Sequence, residues 1–354
     1  MISLNFDLKN NIIFMIEIFI IILILLSIFY YVLQKRIVGL LKIITKFIEF
    51  SGYYFTYKLH KKKVSKKSKS LSLNNFAIVI QGPNVLNSNF TLETLRYYST
   101  QYPKSPIIFS SWEHDINIIK KYKLNKNIHL VTNETPSYSG IRNINLQSYS
   151  TKNAILYAKK LKCKYVLKTR SDTRVYFNDF QNHLINLIKF YKLKKNFREK
   201  QKARIVSTNF TLRYRMYAPS DLIMFGHIDD LYDYFNVLTS ERVEKNFFEL
   251  IKKSKFKSKS HFFYDDFFTP EQYFFCNFFK KKNLKLKWTV DDYLKKISEN
   301  FIIIDNQTLN IYWKKSNRVD NSFSDTPNVT NSSLSFNFVD WLEYFYKNNK
   351  IKKL

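Results

Sequence analysis

Residues Tyr165 to Arg174 read YVLKTRSDTR: a short apolar, strand-forming run that ends in one aspartate, Asp172, held between Arg170 and Arg174. The chain's positive charge is mostly lysine, so two arginines bracketing a carboxylate at a strand's end have the look of a placed site. The same pattern repeats on the N-terminal side. Phe76–Ile80, Ile107–Phe109, Ile128–Val131 and Tyr165–Leu167 read as strands, and Leu92–Tyr102 and Leu146–Leu161 as helices between them. Strands alternating with helices predict an α/β domain with a mostly parallel, doubly wound sheet. In such a sheet the ligand crevice lies outside the carboxyl ends of the strands. The residues that follow the strands are small, polar or aromatic: Gln81-Gly82-Pro83, Ser110-Ser111-Trp112, Thr132-Asn133 and Arg170-Ser171-Asp172.

A chain of 354 residues holds one main domain with attachments. Lys+Arg 58 against Asp+Glu 28 gives a formal charge of +30, which points to anionic partners unless an AT-rich genome has simply enriched the chain in Lys, Asn, Ile, Phe and Tyr. Only clustered charge therefore carries weight. Two cysteines, Cys163 and Cys276, exclude a disulfide framework and a four-cysteine zinc site, and the six histidines show no HExxH spacing. From Ile12 to Leu33 only Glu17 and Ser27 interrupt an apolar run. As a helix it extends about 30 Å, the thickness of a bilayer's hydrocarbon core. With no small-residue cleavage site after it, the run reads as a retained single-pass anchor within residues 1–34. Residues 35–74 then form a basic juxtamembrane linker, in which Ile37–Phe50 reads as an interfacial or packed amphipathic helix and seven lysines lie between Lys58 and Lys69. Basic residues after the anchor predict that the following domain, 75–354, faces the cytoplasm, at the inner membrane if the host is a bacterium.

The strand-end residues have definable chemistry. Gly82 permits close backbone approach or merely makes a turn, Gln81 offers donor and acceptor to a base or ribose, and Trp112 stacks on a ring or packs in the core. Asp172 can bind a divalent cation, Mn or Mg, that bridges a nucleotide-sugar's diphosphate, with Arg170 and Arg174 gripping phosphate oxygens. The alternative for Asp172 is an arginine–aspartate ion pair closing a turn. Glu113, His114 and Asp115 read as a solvated loop.

Taken in order, Ile80-Gln81-Gly82-Pro83, Ser110-Ser111-Trp112, Gln147-Ser148-Tyr149-Ser150-Thr151 and Lys168-Thr169-Arg170-Ser171-Asp172-Thr173-Arg174 resemble the WavE family of lipopolysaccharide-biosynthesis proteins. The similarity spans about Phe76 to Tyr176, and continues more loosely through Asp221 and Pro270-Glu271-Gln272-Tyr273. The resemblance implies a GT-A-like glycosyltransferase that uses a nucleotide-sugar donor, a divalent cation and a glycan or glycolipid acceptor. It puts Asp172 at the DxD-type position, although Ser171-Asp172-Thr173 supplies one carboxylate where that motif has two. Gln81, Gly82, Pro83, Ser110, Ser111, Trp112, Arg170, Asp172 and Arg174 are then the donor-binding candidates.

In the second half Arg204–Asn209 and Leu222–Gly226 read as strands, and Arg213, Arg215 and Asp221 are candidates for the acceptor side. Pro270 starts a helix with Glu271 in its first turn, a position the helix dipole favours for an acid whatever its function. The family pattern makes Glu271 the general base, with Asp266 in reserve. Trp313 reads as a surface residue or a lid on the donor pocket, and Phe336–Tyr346 as a closing helix or membrane-facing patch. A different class of function remains: a membrane-tethered, non-catalytic binder of polyanions, using Lys252–Lys259 with Phe262, Phe263 and Tyr264. It leaves the strand-end motifs unexplained, and no nucleic acid partner is expected.

Overall fold

The computed structural model describes residues 19–33, 36, 53–55, 59–61, 73–194, 197, 199–209, 216–253, 269–314 and 336–349. The chain divides into two compact units, Met1–Lys63 and Val64–Leu354. In the first, residues 19–33 form a helix (α1) whose side chains are exposed, and Tyr53–Phe55 (β1) pairs antiparallel with Leu59–Lys61 (β2). The start of the predicted anchor, residues 12–18, lies outside the described residues. Among those that are described, no helix is long and apolar enough to cross a membrane.

The second unit begins with β3 (Phe76–Gln81), α2 (Phe90–Gln101), β4 (Ile107–Trp112), α3 (Glu113–Lys120), β5 (Ile128–Asn133), α4 (Ile144–Lys160) and β6 (Tyr165–Arg170). It continues with β7 (Thr173–Val175), α5 (Phe180–Phe190), β8 (Ile205–Thr208), β9 (Met224–His227), α6 (Ile228–Phe235), α7 (Glu241–Lys253) and α8 (Pro270–Lys281). Last come α9 (Val290–Asn300), β10 (Phe301–Ile304), α10 (Asn306–Leu309), β11 (Ile311–Trp313) and α11 (Phe338–Asn349). Seven strands form one sheet in the order β10-β8-β9-β6-β3-β4-β5. The alternating strands and helices of the first half are present, and the sheet is mostly parallel. The exception is β9, antiparallel to both β6 and β8. A separate ribbon pairs β7 antiparallel with β11.

Two local expectations are corrected. The strands run beyond their apolar stretches: β4 continues through Ser110, Ser111 and Trp112, which pair with Val131, Thr132 and Asn133 of β5. Polar residues belong inside here because they satisfy one another, as buried polar groups must. Asn133 donates to Ser110 Oγ at 2.9 Å, Ser110 Oγ to the carbonyl of Ser150 on α4 at 2.8 Å, and Asn153 to Asn133 Oδ1 at 2.9 Å. Glu113, His114 and Asp115 are not loop but the first turn of α3, where acidic residues complement the helix dipole and Ser111 Oγ donates to Asp115 at 2.7 Å.

The core is strongly aromatic. Phe76 stacks on Phe225 with centroids 5.3 Å apart, and Phe275 on Phe279 at 4.5 Å and on Phe301 at 5.3 Å. The C-terminal aromatic segment is a closing helix: Trp341 of α11 is fully buried and donates Nε1–H to the carbonyl of Phe301 at 2.9 Å. Arg174, predicted to grip phosphate, is part of this interior. It is 0% exposed, donates to Thr94 Oγ1 at 2.9 Å and to the Phe90 carbonyl at 3.1 Å, and lies over the Phe90 ring at 4.6 Å. All three residues of β7 are buried, and the Arg174 fork fastens α2 to β7 instead of meeting a ligand.

Two predictions follow from these buried charges. Arg174→Met should cost about 2–5 kcal/mol of stability in a denaturant titration, since it removes those bonds and part of the packing. Ligand affinity of the folded fraction should be unchanged, and a stable variant with weakened ligand binding would contradict this placement. The second prediction concerns Asp230, which is buried in the first turn of α6 and accepts from the backbone N–H of Lys202 at 3.0 Å and of Ala203 at 2.9 Å. Burial outweighs these bonds and pushes its pKa from 3.8 up to about 7. The folded chain therefore holds this proton more tightly than the unfolded chain, and stability from this group falls as pH rises from about 4 to 7. Melting scans should show Asp230→Asn losing that part of the decline; identical slopes in the two proteins would refute it.

Candidate functional site

From β3 the chain runs outward through β4 and β5, then returns over α4 to β6 on the opposite side of β3. Gln81 at the end of β3 is thus flanked by Arg170 of β6 on one side and Ser110 of β4 on the other. The junction between β3 and β6 is the topological switch point, where open α/β sheets form their crevice. A cleft of about 460 Å³ opens there. Gln81, Gly82, Pro83, Trp112, Arg170 and Asp172 line it, a set that the sequence had put together from three separate segments. The start of α4 adds Arg142, Asn143 and Gln147, none of which had been singled out as a ligand contact.

Gly82 is required at the cleft floor for two reasons. Its φ is +121°, and a Cβ there would stand 2.8 Å from Ser171 Oγ. Ser171 N–H in turn donates to the Gln81 carbonyl at 2.9 Å, which ties the two strand ends together beneath the cleft.

Asp172 forms the ion pair that was its alternative reading. Arg170 Nε donates to Oδ1 and Nη2 to Oδ2, each at 3.0 Å. Pairing of β7 with β11 sets Trp313 opposite Thr173, and its Nε1–H donates to Asp172 Oδ2 at 3.1 Å. Thr173 Oγ1 donates to Oδ1 at 3.3 Å. Burial opposes ionisation of Asp172, but Arg170 and the other donors more than offset it, holding the carboxyl below the usual carboxylate range. Mg and Mn ions take sets of oxygen ligands. Here one carboxylate is already occupied on both oxygens, and among the described residues no three His, Cys, Asp or Glu side chains cluster. The described donor set does not fit the predicted cation.

The other candidates are placed as follows. Ser110 and Ser111 are buried under the cleft in the β4–β5–α4 network, and Arg174 is in the core. Asp221, expected to face an acceptor, is buried and bound to Lys168, which is 0% exposed. Lys168 Nζ donates to the Asp221 carbonyl and lies 3.4 Å from Oδ2. Burial pulls the Lys168 pKa down, against the pull of Asp221. Glu271 is half-buried in the first turn of α8, whose N-cap Thr269 accepts from Gln272 N–H at 3.3 Å. Its charge acts on both Arg170 and Lys168. Asp266, Arg213 and Arg215 lie outside the described residues, as do 254–268 of the lysine and aromatic stretch invoked for polyanion binding.

The loop before α4 is the part of the site that sequence reasoning missed. Arg142 and Asn143 both adopt left-handed backbone, with φ +52° and +62°. Glu244 of α7 fixes the loop by accepting from Ile141 N–H at 2.9 Å and from Tyr138 Oη at 2.6 Å. Asn145 adds bonds to the carbonyls of Tyr138 and Thr239, both at 2.9 Å. The available signal was Ser139-Gly140-Ile141-Arg142-Asn143, a glycine followed by a polar pair just before a helix.

No protein-family model matches the chain, so the WavE resemblance rests on its ordered motifs. No curated protein matches it. Among solved structures, it is similar to a 4-diphosphocytidyl-2C-methyl-D-erythritol synthase of Anaerococcus prevotii, at 17% identity and a TM-score of 0.28, over 62% of this chain and 94% of that one. It is also similar to a cytidylyltransferase of Leptospira borgpetersenii, at 11% identity and a TM-score of 0.29, over 79% and 98%. Likeness at this level is too slight to bear on the chemistry of the cleft.

Proposed function

We propose that the chain is a GT-A-like glycosyltransferase that moves a sugar from a nucleotide-sugar donor to a hydroxyl of a glycan or glycolipid acceptor, in surface-polysaccharide or lipopolysaccharide synthesis of the WavE type. The observation that carries this reading is the cleft at the β3–β6 switch point, which combines a glycine floor, the Gln81 amide, the Trp112 ring and arginine side chains. Gln81 and Trp112 suit a base and ribose, and the arginines suit phosphates.

In a single displacement the acceptor oxygen bonds to the anomeric carbon while the bond from that carbon to the diphosphate oxygen breaks. The nucleoside diphosphate leaves with the bonding electron pair, and the hydroxyl proton passes to a carboxylate. Glu271 is the proposed base, and Asp266 stays in reserve. The apolar run 12–33 and the lysines that follow are proposed to hold the enzyme at a membrane with its catalytic unit in the cytoplasm.

Thermal-shift measurements on the full chain in detergent, with UDP-, GDP-, CMP- and dTDP-sugars, test the donor site. One nucleotide class should raise the melting temperature by mass action, and Trp112→Ala should abolish the rise. No rise with any class would remove the reading. Glu271→Gln should keep the donor-induced rise and lower transfer by roughly 100-fold or more; unchanged transfer would discard it as base. Orientation is tested by a cysteine introduced at exposed Lys120, against a quiet background because Cys163 and Cys276 are both buried. A membrane-impermeant maleimide should label it only after cells are opened, and labelling of intact cells would place the domain outside.

A further inference from the structure

Among the described residues that line the cleft are two arginines, Arg142 and Arg170, and one carboxylate, Asp172, which is committed. Both oxygens of Asp172 accept from the Arg170 fork, and Trp313 and Thr173 add one bond each. The fork uses Nε and Nη2 of Arg170, and Nη1 makes no hydrogen bond among the described residues. The Arg170 side chain is 32% exposed and lines the cleft. Asp172 thus does to Arg170 what an orienting carboxylate does to any forked donor: it fixes the plane and leaves one edge for an anion.

The second guanidinium is that of Arg142, exposed at the start of α4 on the lining of the same cleft. An arginine gains nothing locally from left-handed backbone. Each non-glycine residue held there costs of order 1–3 kcal/mol. Arg142 and Asn143 are kept so by the Glu244 and Asn145 bonds and by Gly140, where a Cβ would meet Ile144 at 2.5 Å. Backbone held against its preference beside a cleft is a mark of a positioned side chain.

We infer that the cleft binds a diphosphate without a metal ion, through Arg142 and Arg170, and that Asp172 is a positioning residue for Arg170 and not a metal ligand. This rests on the reading of the cleft as a donor site and deepens it. The two guanidinium groups meet the negative charge on the phosphate oxygens, in the ground state and as the diphosphate departs. The lowered pKa of Asp172 keeps the pair charged through the neutral range.

The test is calorimetric titration of the full chain in EDTA with inorganic pyrophosphate, with UDP, GDP and dTDP, and with the corresponding nucleosides, repeated with Mn²⁺. Pyrophosphate and one nucleoside diphosphate should bind in EDTA, and Mn²⁺ should not tighten them. Arg142→Asn keeps a residue that tolerates left-handed backbone and removes the cation. It should weaken both probes by about tenfold or more, leaving the matching nucleoside's affinity unchanged. Arg170→Lys, which keeps charge but not the fork, and Asp172→Asn should weaken the same probes in EDTA. Binding that appears only with Mn²⁺, or that ignores Arg142→Asn, would overturn the inference while leaving the donor site standing. Pyrophosphate binding that depends on both arginines, with no nucleotide binding more tightly, would sustain the inference and overturn the nucleotide-sugar reading. No binding by any probe would overturn both.

Discussion

The fork between Arg170 and Asp172 is the interaction on which the site depends. Arg170 ends β6, the strand next to β3 in the main sheet, and Asp172 stands in the turn before β7, the strand of the separate ribbon. Closing that turn with a two-bond ion pair fixes where β7 starts and therefore where β11 pairs, which brings Trp313 to the same carboxylate. Ser171 between them is buried, presses against Gly82 and receives the Thr91 hydroxyl on its carbonyl at 3.2 Å. Three elements thus converge on one turn, and the cleft lies above it.

Much of this was legible in the sequence because it is local. The apolar periodicities located β3, α2, β4, β5, α4 and β6, and the rule that ligands sit at the carboxyl ends of such strands put Gln81-Gly82 and Arg170-Asp172 at one crevice without any structure. What stayed hidden is non-local. The Trp313 bond to Asp172 comes from a residue far along the chain, and Arg174 is interior because the whole of β7 is buried. The strands were ended at their apolar stretches because hydropathy does not register that Asn133 bonds to both Ser110 and Asn153. Arg142 gave little signal, since its role depends on Glu244 and Thr239, which reach it only through the fold.

The buried charges show where part of a +30 surplus goes. Lys168, Arg174 and Arg204 are all 0% exposed. Each is held differently: Lys168 by a carboxylate, Arg174 by a hydroxyl, a carbonyl and aromatic faces, and Arg204 by carbonyls, including that of Tyr191 at 2.9 Å. Burial draws Arg204 down to about 10, and the rings of Trp341 and Phe345 cover it at 6.0 and 5.1 Å. In a chain with 33 phenylalanines and 25 tyrosines, a cation can be buried against ring faces as well as against carboxylates.

The clamp of Glu244 on the loop before α4 has a kinetic corollary. A long cationic side chain on a free loop must be ordered each time an anion arrives, at a cost in entropy and in rate. Here the backbone that carries Arg142 is set when the chain folds, by a residue on a different helix. Encounter with an anion then needs only side-chain adjustment, so capture is governed by diffusion and electrostatic steering and not by loop closure.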